Sequence, residues 1–125
     1  MFSLPTAIHI YLCTTPVDMR CGFDGLAALV RNTLHMDPLS GSLYLFLGQK
    51  RDRIKILFWD HDGYALYSKR LERGRFPSLS PSHSSSATPV YHIAAYELTL
   101  LLEGIDLAHS QKRKRFQLPN LSLES

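Results

Sequence analysis

The sequence predicts an α+β domain: a small mixed or antiparallel sheet, a meander of three strands plus an N-terminal strand, with one covering helix and a short C-terminal helix. Three observations predict it. Residues 53–59 and 64–71 alternate with period two on either side of a polar break. Residues 43–47 form a short run that is apolar on both faces. Residues 23–34 carry an apolar stripe at helical spacing.

In chain order, residues 1–7 read as a loose end. Ile8 to Leu12 is a strand candidate with Ile8, Ile10 and Leu12 on one face and His9 and Tyr11 on the other. His9, alone on a strand, reads as a half-exposed surface residue. Thr14-Thr15-Pro16 ends this strand, and Asp18 or Asp24 offers an N-cap to a helix expected over 19–34. Its stripe is Phe23, Leu26, Ala27, Val30 and Leu34, and Gly22 and Gly25 suit close packing in its first turns. The cluster Asp37 to Ser42 turns the chain into Leu43–Leu47, which should be a central strand because neither face is polar.

The hairpin is the strongest local signal. β-branched and aromatic residues fill 53–59, and Asp60-His61-Asp62-Gly63 ends in Asp-Gly, a preferred hairpin closure. Folding about that break sets Trp59 opposite Tyr64, Leu57 opposite Leu66 and Lys55 opposite Ser68, with Phe58 facing Ala65 and Ile56 facing Tyr67.

After Phe76 the composition changes. Residues 77–89 are rich in Ser and Pro and read as a linker, in which His83 is no ligand. Ala94, Leu98, Leu101, Leu102 and Ile105 then recur at helical spacing. They predict a short helix, about Ile93 to Glu103, with Gly104 as its C′ stop. The expected organisation is a core domain over 1–76, the linker over 77–89, a C-terminal helical segment over 90–106 and an unstructured basic tail over 107–125.

A chain of 125 residues with 45% hydrophobic content supports one modest core. No apolar run approaches the roughly 20 residues of a membrane-spanning helix, and no secretory leader pattern opens the chain, so the expected compartment is the cytoplasm. Cys13 and Cys21 lack a zinc spacing and read as ordinary thiols.

The net charge is only +3, yet twelve of the fourteen basic residues fall in two places. Lys50, Arg51, Arg53, Lys55, Lys69, Arg70, Arg73 and Arg75 belong to the hairpin region; Lys112, Arg113, Lys114 and Arg115 form a tail cluster. Such concentration is the electrostatic footprint of a polyanion-binding surface, with the protection of a sheet edge as the simpler alternative. An antiparallel hairpin brings Lys50, Arg51 and Arg53 beside Arg70, Arg73 and Arg75, against Asp52 and Glu72. Trp59, Tyr64 and Tyr67 among Lys55, Lys69 and Arg70 could stack bases, although the same rings suit a core.

Catalytic patterns are thin. Asp60-His61-Asp62 resembles a hard-cation site, but such residues also satisfy a turn. Asp18 and Asp24 suit the start of a helix; joined with Asp60 and Asp62 they would make a nuclease-like metal cluster, the enzymatic alternative. No nucleophile has a patterned base and no Gly-rich phosphate loop is present. The expectation is a non-enzyme without cofactor or metal.

The runs PVDMRCGFDGLAALV (16–30), DRIKILFWDHDGYALYSKRLERGRF (52–76) and LLEGIDL (101–107) resemble the TnpB-type small accessory protein of insertion sequence family 66. The resemblance covers about two-thirds of the chain in order, and its middle run is the most specific. It implies a bacterial mobile-element protein, encoded beside a larger transposase that carries the catalytic acidic residues. It implies a role in transposition; together with the basic hairpin, whose phosphate contacts would carry no sequence preference, the expected partners are DNA, that transposase, or both. Where the family has a tryptophan and a short acidic link after the RGRF run, this chain has Pro77 to Pro89.

Overall fold

The computed structural model describes residues 8–77, 89–103, 105–106 and 111–112. Alternating apolar residues build β1 (Ile10–Cys13), β2 (Leu43–Leu47), β3 (Arg53–Asp60) and β4 (Gly63–Arg70). A fifth strand, β5 (Val90–Ile93), leads into helix α2 (Ala95–Glu103), while α1 (Phe23–Asn32) lies between β1 and β2. The sheet runs β4-β3-β2-β1-β5. β2, β3 and β4 form the antiparallel meander, and β1 joins it parallel to β2, with Ile10 opposite Leu43. A parallel neighbour requires a crossover, which α1 supplies.

All five residues of β2 are buried, as a two-sided central strand must be. Leu43, Leu45 and Leu47 face one core with Ile10, Leu12, Ile54, Ile56, Phe76 and Ile93, closed by Leu98 and Leu101 of α2. Tyr44 and Phe46 face the other with Cys13, Val17 and Leu57, closed by Leu26, Ala27, Val30 and Leu34 on and beyond α1. The sheet therefore carries a helix on each face. Burial pushes the Cys13 thiol up from its usual range.

Several boundaries differ from expectation, each for a local reason. α1 begins at Phe23 rather than at residue 19, and its N-cap is Gly22, with no side-chain cap. Asp18 caps only an isolated turn that α1 does not continue: the Arg20 backbone N–H donates to its Oδ1 at 2.9 Å, Arg20 Nη2 donates to its Oδ2 at 2.7 Å, and the Cys21 N–H donates to its carbonyl at 3.1 Å. The Arg20 guanidinium also holds the Asp18 carboxyl down at about 2, so the contact persists as pH falls until that range is reached. Gly25 does not mark a close approach: a Cβ there would lie 3.4 Å from Cys21 Cβ and Sγ, an ordinary contact. Gly25→Ala should therefore raise the melting temperature, with a gain of about 0.5–1 kcal/mol from helix propensity, read by thermal denaturation.

Residues 90–93, placed in the C-terminal helical segment by periodicity, are a strand pairing antiparallel with β1, Tyr11 opposite His92. Helix α2 follows as expected. Its first turn is closed by Glu97, whose Oε1 accepts the Ala94 backbone N–H at 2.7 Å, and it covers the sheet with Leu98 and Leu101. Within the segment expected to be an unstructured tail, β7 (Gln111–Lys112) pairs with β6 (Ile105–Asp106). The loose end 1–7, most of the linker with His83, the Gly104 stop and tail residues 113–115 lie outside the described residues. Among the described residues no helix is long and apolar enough to cross a membrane.

Candidate nucleic-acid or partner interface

The β3–β4 hairpin places the candidate cations. Its register is the expected one throughout, including Trp59 opposite Tyr64 and Ile56 opposite Tyr67. The turn is tighter than the sequence suggests: Asp60 pairs with Gly63 and only His61 and Asp62 form the loop. His61, not Gly63, takes the left-handed conformation, with φ 57°, and the Asp62 N–H donates to the Asp60 carbonyl. Asp60, His61 and Asp62 are exposed at the closed end of the hairpin.

The open end gathers the positive charge. Arg53 and Arg70 are direct cross-strand neighbours. Beyond them the chain folds back on the 51–52 turn, where Leu71 N–H donates to Asp52 O and Phe76 N–H donates to Arg51 O, each at 2.7 Å. The Phe76 ring is fully buried in the α2-side core, which anchors Arg73 and Arg75 beside the hairpin. Gly74, between them, has φ 82°, a conformation that suits glycine.

Three of the eight candidate cations are committed to the protein's own backbone. Lys55 Nζ donates to the carbonyls of Met19 at 2.7 Å and Cys21 at 2.8 Å, fixing the loop before α1. Lys69 Nζ donates to the Leu102 carbonyl at 3.1 Å, in the last turn of α2, where the helix dipole favours a cation. Arg51, at φ 58°, donates from Nη1 to Phe76 O at 3.1 Å. Arg70 shares an exposed ion pair with Glu72 at 3.1 Å. Lys50, Arg53, Arg73 and Arg75 are exposed and make no ion pair among the described residues. That leaves Lys50, Arg53, Arg70, Arg73 and Arg75 as the exposed cations of the open end.

The aromatic rings do not assemble into a stacking platform. Trp59 and Tyr64 meet edge to face at 5.1 Å on the α1 side, while Tyr67 lies on the opposite face. The candidate aspartates are also separated. Asp18 lies near enough to Lys55 to feel its charge, and five residues of extended strand, about 17 Å, separate Lys55 from Asp60. Among the described residues no three His, Cys, Asp or Glu side chains converge on a point that could hold a metal.

Two features were not foreseen. The Phe76 anchor follows an Arg-Gly-Arg stretch whose polarity hides it, and a lone aromatic after such a run was its only signal. The second is a ring cluster: His9 Nδ1 lies 3.4 Å from His92 Nε2, and Tyr11 stacks on His92 at 4.9 Å and on Tyr44 at 5.8 Å. Nothing local links residues 9 and 92, so only the β1–β5 pairing reveals it.

Comparison with known proteins follows the same lines. The family model described as IS66 Orf2 like protein matches residues 8–112. Two proteins of Sinorhizobium fredii (strain NBRC 101917 / NGR234) are similar along nearly their whole length. Uncharacterized protein y4hO is 38% identical over 108 residues, covering 86% of this chain and 90% of that one. Uncharacterized protein y4jC is 36% identical over 112 residues, covering 90% and 91%. No solved structure matches. On the family match across the sheet, both helices and the basic hairpin, the chain belongs to the IS66 Orf2-like family, the TnpB-type accessory proteins of that insertion sequence.

Proposed function

We propose that this accessory protein of insertion-sequence transposition is non-catalytic and contacts the DNA backbone, without sequence preference, through the open end of the β3–β4 hairpin. The observation that carries the reading is the Arg53–Arg70 pair. Like charges directly opposite across two strands cost stability, and Glu72 offsets only one of them. A phosphate between the two guanidiniums would relieve that repulsion and satisfy both. Lys50, Arg73 and Arg75 extend the same field, so successive phosphates could be met. Chemistry is left to the element's transposase, because the aspartates of the enzymatic alternative are spread between Arg20 and the far turn.

Family membership also implies association with the transposase, and the same patch could serve it. The test is the double substitution Arg73→Ala with Arg75→Ala. It should weaken binding to every duplex alike and make the slope of log affinity against log salt shallower by roughly one to two. Its thermal stability should stay close to that of the parent, since exposed arginines contribute little to folding. A double variant that binds DNA normally but loses the transposase in a pull-down would assign the patch to protein contact.

A further inference from the structure

β4 ends the five-stranded sheet. Its pairing with β3 runs through eight successive partners, from Arg53–Arg70 to Asp60–Gly63, without a bulge, and Gly63 to Arg70 contains no proline. With a two-residue loop the closing pair exchanges both backbone bonds, so Gly63, Ala65, Tyr67 and Lys69 turn their polar groups toward β3. Tyr64, Leu66, Ser68 and Arg70 turn theirs outward, where no described strand meets them. Proteins usually guard such an edge with lysine, proline or a bulge. The lysine of this strand, Lys69, instead has its ammonium on the Leu102 carbonyl.

We propose that β4 pairs antiparallel with β4 of a second copy, about a two-fold axis at Leu66, to make a continuous ten-stranded sheet. The two ends of the strand have opposite charge: Asp60 and Asp62 at the turn, Lys69 and Arg70 at the open end. Pairing on Leu66 sets Asp62 opposite the partner's Arg70 twice over, and Tyr64 opposite the partner's Ser68. Every outward-facing backbone group from 64 to 68 then falls in a hydrogen-bonded pair. It also lays Tyr67, 46% exposed on this edge strand, beside the partner's Ala65. Centring instead on Tyr67 would set Asp62 against the partner's Glu72, and centring on Ala65 shortens the overlap. Arg70 is shared with the basic patch and with its ion pair to Glu72, so the dimer is measured in the absence of DNA.

The test uses the full chain and two charge reversals, each confirmed as folded by circular dichroism. Sedimentation equilibrium of the parent should show a concentration-dependent dimer of twice the 14.2 kDa chain mass. Asp62→Arg alone sets Arg against Arg, and Arg70→Asp alone sets Asp against Asp; each should weaken dimerisation at least tenfold. Mixed, the two variants should form a heterodimer, because both contacts then join opposite charges. Ser68→Pro, which removes an outward N–H from an exposed edge position, should also abolish the dimer while keeping the fold. A parent that stays monomeric at all concentrations, or single variants whose mixture fails to associate, would overturn the proposal.

Discussion

Phe76→Ala should lower the unfolding free energy by about 3–5 kcal/mol, the usual cost of emptying a buried aromatic site. The ring is fully buried among Ile54, Ile56, Leu98 and Leu101, so its loss opens the core between sheet and α2. The total stability of a small domain is only about 5–15 kcal/mol, so the variant should melt far below the parent in a urea titration. A functional loss should come with it, because the buried ring fixes the segment that carries Arg73 and Arg75 beside the hairpin, and the backbone N–H bond to Arg51 O that position 76 keeps is too weak to do so alone. Where the variant is still folded, in the cold, its DNA affinity should fall as it does for the Arg73→Ala, Arg75→Ala pair. Affinity equal to the parent's under those conditions would show that the anchored geometry is unnecessary.

Lys55→Met should cost about 2–3 kcal/mol, although the residue looks like part of the basic surface. The ammonium is the donor that the structure places on two carbonyls, Met19 O and Cys21 O, and a thioether cannot replace it. Those carbonyls terminate the loop that delivers α1, and Met19 in turn covers Gly48, where a Cβ would come within 2.7 Å of Met19 Cγ. The expected signature is a lower denaturation midpoint with an unchanged salt slope for DNA binding. A flatter slope at unchanged stability would put Lys55 in contact with phosphate instead.

These two residues mark how far the amino-acid pattern reaches. The hairpin register was legible, short of the closing Asp60–Gly63 pair, because period two and a short turn leave one register that buries Ile54, Ile56 and Leu57 together. The α1 stripe was legible for a similar reason. Its start was not, because the turn that Asp18 caps stops at Cys21 and Gly22 caps the helix with backbone alone. β5 was hidden: Val90-Tyr91-His92-Ile93 is short, and its partner lies near the other end of the chain. The cations divide the same way. Alternation tells which face Lys69 occupies, but not that α2 would present its Leu102 carbonyl there. Of the eight cations that clustering groups together, the fold engages three with its own backbone, which no sequence pattern announces.

The order of the strands also has a kinetic consequence. β3 and β4 are joined by two residues, whereas β5 reaches β1 across about eighty positions, with Ile10 against Ile93. Contacts close in sequence form on the microsecond scale, while distant pairings wait for the loop between them to close. The hairpin, and with it the Arg53–Arg70 pair, should exist before the sheet has its last strand. During that interval Ile10, Leu12, Leu45 and Ile56 lack the cover that Leu98 and Leu101 provide. A chain stopped between Phe76 and Pro89 would keep that face open permanently, and its fate would be aggregation rather than a smaller working protein.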